Sequence, residues 1–225
     1  MCFSATASFV AAGGLGLAAA GSLWLARTPA EKGLAQFPLI FGIQQLAEGF
    51  VWLALKRPDF AIYLVPAQTA FVLIAWLGWP VIVPAVYKAF IRRKVNITPV
   101  NLLLALGIVV AGINAWNIYA SGVTAEIRGH HIYYGNTNSV ILANFTGAMY
   151  VCATLIPPFL TGNKKLYIIG TVHTSMFLFV FLFHRPYLIS VWCFLGAVSS
   201  ASMLWYLATP RTTRRNINKH YSLRR

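Results

Sequence analysis

Residues 36–55 read QFPLIFGIQQLAEGFVWLAL: a long apolar run that holds a single ionisable side chain and has no charged side to offer water. A surface helix of a soluble protein keeps such a side. The length instead matches the ~20 residues that an α-helix needs to cross a ~30 Å hydrocarbon layer. Only a helix crosses in one segment, because it alone satisfies every backbone N–H and C=O internally.

Working outward, six more blocks share this character. They run from about Ala5–Ala26, Ala61–Phe90, Val100–Ala120, Ser139–Leu160, Leu166–His184 and Tyr187–Ala208, with Gln36–Leu55 second in order. The chain has 225 residues, of which 58% are hydrophobic and only 10% charged, and its mean hydropathy is +0.67. A soluble domain carries about 25% charged residues. No charged residue precedes the first block and many blocks follow it, so it reads as a span and not as a removable signal peptide. The fold class expected is all-α: a seven-transmembrane-helix bundle over residues 1–208 with a basic tail over 209–225. Within it, Pro80 and Pro84 should kink or end the overlong third helix. Ala12, Gly16 and Ala20, at four-residue spacing, should let the first helix approach a neighbour closely.

The bases set the direction. Arg27, Lys32, Lys88, Arg92, Arg93, Lys94, Lys164, Lys165 and six residues of the tail fall on one side, 14 in all, against Lys56, Arg57, Arg128 and Arg185 on the other. The positive-inside rule then places the tail in the cytoplasm and the N-terminus outside, in a multi-pass protein of the cytoplasmic (inner) membrane. The net charge of +14 is accounted for by this topology and by attraction of the inner face to anionic lipid headgroups, with no call for nucleic acid. The bilayer is the one partner so implied. Nothing in the sequence sets an oligomeric state.

Of four acids, Glu31, Asp59 and Glu126 fall in expected loops, and Glu48 alone lies within a span. Gln44 and Gln45 precede it by about one turn on the same face. An ionisable group inside a span marks a functional site by default, although polar groups also serve as interhelical glue. Gln68, Asn114, Asn117, Asn144, His184 and Cys193 come out at a similar, outer depth on five other spans. Together with Trp192 they suggest a polar cavity around Glu48 opening outward, lined by Gln44, Gln45, Gln68, Asn114, Asn117, Asn144 and Trp192. Six unrelated local hydrogen bonds are the rival reading. His173 and His184 stand about three turns apart and cannot share one metal; His173 reads as a satisfied interior histidine. His130 and His131, in the longest outer loop, read as a solvated loop, with a lid or a metal site as alternatives.

The three cysteines, Cys2, Cys152 and Cys193, show no zinc-type spacing. Cys2 and Cys193 share the outer side, where a disulfide is open to them. A metal set of Cys2, Glu48, His184 and Cys193 mixes carboxylate, imidazole and thiolate, which suits zinc or copper. Three functions follow. The first is binding or translocation of an ion or small polar molecule at Glu48. The second is a membrane-embedded metal-dependent hydrolase, although the His-x-x-x-His pair of the ceramidase-type seven-span enzymes is absent. The third is a haem- or quinone-binding subunit. A retinal pigment is excluded, because it needs a lysine within a span and every lysine here lies in a loop or at a span end.

The start Met1-Cys2-Phe3-Ser4-Ala5-Thr6-Ala7-Ser8-Phe9, the segment Gln44-Gln45-Leu46-Ala47-Glu48-Gly49-Phe50-Val51-Trp52 and the segment Ser190-Val191-Trp192-Cys193-Phe194 resemble a family of small bacterial integral-membrane proteins of unknown function. The resemblance implies that the start, Gln44, Gln45, Glu48, Trp52, Trp192 and Cys193 belong to the family's pattern. It implies no activity.

Overall fold

The computed structural model describes residues 4–91, 96–135 and 140–209. The chain is almost wholly helical. Its first helix, α1 (Ala5–Leu25), starts where the Ser4 hydroxyl accepts from the Ala7 N–H, as an N-cap should. A short α2 (Pro29–Ala35) opens with a full capping box between Thr28 and Glu31, which accounts for one of the three acids expected in loops. The chain breaks at Gln36 and continues as α3 (Phe37–Lys56).

The third block is the most irregular. A 3-10 turn (Pro58–Tyr63) leads into α4 (Leu64–Val72), then a π-helical turn (Leu73–Gly78), then α5 (Trp79–Lys88) with Pro84 inside. The helix therefore runs on through both prolines to Lys88. Its backbone widens to π pairing in the turn before Pro80, with the Trp79 N–H bonded five residues back to the Ile74 carbonyl. Pro80 has no N–H to give, so the carbonyls that would meet residue 80, Trp76 in an α-helix and Ala75 in a π turn, need other donors. Asn114 Nδ2 supplies Trp76 at 3.1 Å and the Tyr150 hydroxyl supplies Ala75 at 2.6 Å. Pro84 likewise frees the Pro80 carbonyl, against which Gly107 packs so closely that a Cβ there would overlap the oxygen.

Next comes α6 (Thr98–Ser121), begun by Pro99 and closed at Gly122 with φ +69°. A β-hairpin of β1 (Thr124–Arg128) and β2 (His131–Gly135) pairs Arg128 with His131 around a Gly129-His130 turn. Gly129 there has φ +61°, a value that favours glycine at the first turn position. The hairpin is no solvated loop. Ile132 and Tyr134 are buried, and Tyr134 stacks on Phe71 with ring centroids 4.4 Å apart. The remaining helices are α7 (Val140–Leu155), α8 (Lys164–Phe183), capped by Asn163, α9 (Leu188–Ser199) and α10 (Ala201–Ala208).

Among the described residues six segments are helices long and apolar enough to cross a membrane: Ala5–Leu25, Pro29–Lys56, Pro58–Lys88, Thr98–Ser121, Lys164–Phe183 and Leu188–Ala208. The expected fifth span is α7, with 16 residues, ended before Pro157 and Pro158. At 1.5 Å per residue it covers roughly 24 Å. Large apolar side chains lie bare on the outside, including Leu17, Trp24, Trp116, Tyr119 and Leu182, as a lipid-facing surface requires. Of the expected close-approach stripe on α1, Ala12 and Gly16 come close to α3, a Cβ on Gly42 falling 3.6 Å from the Ala12 carbonyl oxygen and 3.8 Å from the Gly16 nitrogen, while Ala20 is exposed. The approach is made from α3, where a Cβ on Gly42 would lie 3.3 Å from Leu15 and one on Gly49 would run into Phe9.

Two apolar clusters fill the interior. Toward the hairpin, Val51, Trp52, Phe71, Val72, Ile132 and Tyr134 pack together. At the other end, Leu34, Phe37, Phe41, Trp79, Leu166, Ile169 and Met203 do so. The polar residues of α3 lie between these clusters in the chain.

Candidate functional site

Glu48 is completely buried, as are Gln44 and Gln45. Helical spacing puts all three on the inward side of α3. Facing them from α9 come Ser190 and Cys193, three residues apart and so on one face themselves. The Ser190 hydroxyl donates to Glu48 Oε1 at 2.6 Å and Gln45 Nε2 donates to Glu48 Oε2 at 3.2 Å. Gln44 Oε1 accepts from Trp79 Nε1 at 3.1 Å, and its Nε2 donates to Cys193 Sγ at 3.0 Å. Gln45 Oε1 is buried without a hydrogen-bond partner among the described residues. A buried acceptor of this kind costs free energy unless a donor reaches it.

Ser190 also faces a hollow of about 180 Å³, lined with it by Ile132, Tyr133 and Tyr134 of β2 and by Pro186 to Ile189. The hairpin roofs this space. Gln68 Nε2 fastens the roof by donating to the Val123 carbonyl at 2.9 Å. His131 adds a ring contact to Tyr187, centroids 4.5 Å apart, and another to His184 at 5.7 Å. A second cavity of about 50 Å³ lies on the far side of Cys193, among Phe37, Phe41, Trp79, Tyr150, His173 and Trp192. Its walls are overwhelmingly apolar. His173 there is satisfied on both ring nitrogens, by the Ile169 carbonyl at 3.0 Å and by Ser199 Oγ at 2.7 Å, as the interior reading expects.

The expected lining therefore divides. Glu48, Gln44, Gln45 and Cys193 meet in one cluster. Gln68 and Asn114 are engaged with backbone carbonyls elsewhere. Asn117 is buried, with its Nδ2 lacking a partner among the described residues, and Asn144 is exposed. Trp192 packs on Phe177 and Tyr150 beside the smaller cavity. Polarity from six spans does not converge: the cluster is made by α3 and α9, with Trp79 from α5. The reason is that carbonyls freed by proline, or exposed at helix ends and strands, compete for the same amides.

Of the metal set, Cys2 lies outside the described residues. Cys193 meets Gln44, while His184 stands at the hairpin rim against His131 and Phe179. No group of three or more His, Cys, Asp or Glu side chains able to hold a metal is found among the described residues. Two residues of the cluster were missed by sequence reasoning. Ser190 had a signal, since it precedes Cys193 by three on a helix whose other face is apolar. Trp79 had none, because an indole in an apolar span is indistinguishable from packing.

The profile of a family described as a family of unknown function (DUF6629) matches residues 1–219. No curated protein and no solved structure matches the chain.

Proposed function

Starting from the chain's membership of the DUF6629 family, whose function is unknown, we propose that this is a seven-pass protein of the cytoplasmic membrane that binds or translocates a cation or small donor-rich molecule at Glu48. The ligand enters from the outer, hairpin side. The basic tail rests on anionic headgroups at the inner face.

One observation carries the reading. Ser190 touches two things at once: it donates to a fully buried carboxyl at 2.6 Å and it lines a hollow of about 180 Å³. A carboxyl serving only as glue would be walled off by packing, with no void beside its partner. The charge distribution supports the direction, because the side with 4 of the 18 bases is the one that repels an approaching cation least. The seventh crossing rests on α7, since only an odd number of passes keeps the 14 bases together.

Thermal unfolding of the detergent-solubilised protein tests this, with sodium, potassium and ammonium chlorides titrated at constant ionic strength. At least one cation raises the unfolding midpoint of the wild type saturably, and Glu48→Gln, of nearly the same shape, removes that rise. A response identical in the two proteins would assign Glu48 to structural bonding alone.

A further inference from the structure

The smaller cavity lies where the helices α3, α5, α7, α8 and α9 meet, with Phe41, Trp79, Tyr150, His173 and Cys193 among its walls. Its volume is about 50 Å³, above the roughly 10–15 Å³ that one water requires. Space alone therefore does not decide whether it is wet or dry. The walls do. Phe41 is clamped between Trp79, stacked on it with centroids 4.1 Å apart, and Gly196, where a Cβ would run into the ring. The ring is thereby held as a fixed part of the wall.

The polar groups of the wall are committed away from the void. Trp79 Nε1 donates to Gln44 at 3.1 Å, the Tyr150 hydroxyl to the Ala75 carbonyl at 2.6 Å and the Thr154 hydroxyl to the Tyr150 carbonyl at 2.9 Å. Cys193 Sγ accepts from Gln44, and both His173 nitrogens are engaged by Ile169 and Ser199. An enclosed water needs about two to four polar partners, and these five groups have spent theirs on the surrounding helices. What faces the void is ring, methyl and sulfur. Such atoms lack dispersion partners on that side, and an apolar guest supplies them.

Size narrows the guest. An apolar cavity of about 150 Å³ stays dry and takes benzene or xenon, so a third of that volume suits about two non-hydrogen atoms. Independently of the Glu48 reading, we infer that this cavity is a second binding site, for a small uncharged molecule without hydrogen-bonding groups, about the size of dioxygen or ethylene. The guest arrives from the hydrocarbon layer on the side of Tyr150, His173 and Trp192, the half-buried members of the wall.

Xenon is the probe, followed by its own magnetic resonance in full-length protein in detergent, with empty micelles as the reference. The wild type gives a saturable bound signal distinct from micellar xenon. Val83→Ile, which puts one more methyl into the void, weakens it at least about threefold. Leu155→Ala acts in the opposite sense, enlarging the cavity toward the size that takes benzene. Benzene then raises the unfolding midpoint of this variant relative to Leu102→Ala, an equal truncation on the lipid-facing surface. Absence of a bound xenon signal in the wild type overturns the inference. A signal that Val83→Ile leaves unchanged places xenon elsewhere and overturns it too, as does an equal effect of benzene on the two truncations.

Discussion

Among the donors that hold Glu48, Gln45 comes from its own helix and Ser190 from 142 residues away. That second bond ties α3 to α9 in the middle of the molecule. Truncation to alanine takes the acceptor from the Ser190 hydroxyl bond and from the Gln45 amide bond. Each buried group that loses its acceptor costs about 1–3 kcal/mol. Glu48→Ala should therefore lower the unfolding free energy, measured in denaturing detergent mixtures, by at least about 1 kcal/mol. Stability equal to wild type would mean that the carboxyl does not join the two helices. Gln44, one turn away, was read as lining of the same pocket. Its amide is instead spent on Trp79 and Cys193, an arrangement that braces α5 and α9 against α3 below the carboxyl.

Among the elements, the third helix and the hairpin differ most from what a run of apolar residues suggests. Pro80 removes an N–H, and the bundle replaces it with Asn114 and Tyr150. If that is why Asn114 is there, the two sites are coupled. Asn114→Leu should be destabilising by about 1–3 kcal/mol in the wild type, and less so in a Pro80→Ala background, where residue 80 can donate again. A double-mutant cycle should return a coupling of about 0.5–3 kcal/mol; additive effects would dismiss the proline-replacement account.

The hairpin carries a pH dependence. Partial burial, then the positive charge of the chain's N-terminus, then the neighbouring His184 and His130, hold the His131 imidazole below its ordinary range. Tyr187 lies against its ring, and Arg128 sits opposite in the register, so a proton there meets the further positive charge of that guanidinium. The docked hairpin favours the neutral ring. Its contribution is complete above the ordinary value of about 6.5 and declines as the pH falls below it. Hydrogen exchange of the β2 amides, corrected for intrinsic rates, should lose more protection between pH 7.5 and pH 5 than that of α6. Equal losses in both would separate docking from His131.

At the scale of the whole molecule, a bare apolar exterior surrounds a polar cluster, and one end is closed by a hairpin. The proposed topology puts His130, at the hairpin tip, and Lys164, at the start of α8, on opposite sides of the membrane. Single substitutions His130→Cys and Lys164→Cys in intact cells should react oppositely with a membrane-impermeant maleimide, the first labelled from outside and the second only after permeabilisation. Both substitutions are made in a protein with Cys2 and Cys152 replaced by serine, where the native Cys193 is buried and contributes little background. Labelling of both from outside would break the odd number of crossings and move the expected tail to the other face.

How much could be read in advance follows from what each property depends on. Membrane character was determined by the sequence alone, and the expected direction was read there too, because hydropathy and the positive-inside bias are sums over local stretches that need no knowledge of neighbours. Glu48, Gln44, Gln45 and Cys193 could likewise be singled out, since a polar group in an apolar span must find a partner. Which partner it finds was a tertiary decision. Ser190 and Cys193 reach α3 across 142 and 149 residues, while Asn114 and Gln68, alike in sequence, were claimed by the carbonyls of Trp76 and Val123. The hollow, too, exists only because a two-stranded hairpin folds back over the start of α9. A buried dipole demands a complement, but backbone and side chain can both supply it, and only the packed bundle chooses between them.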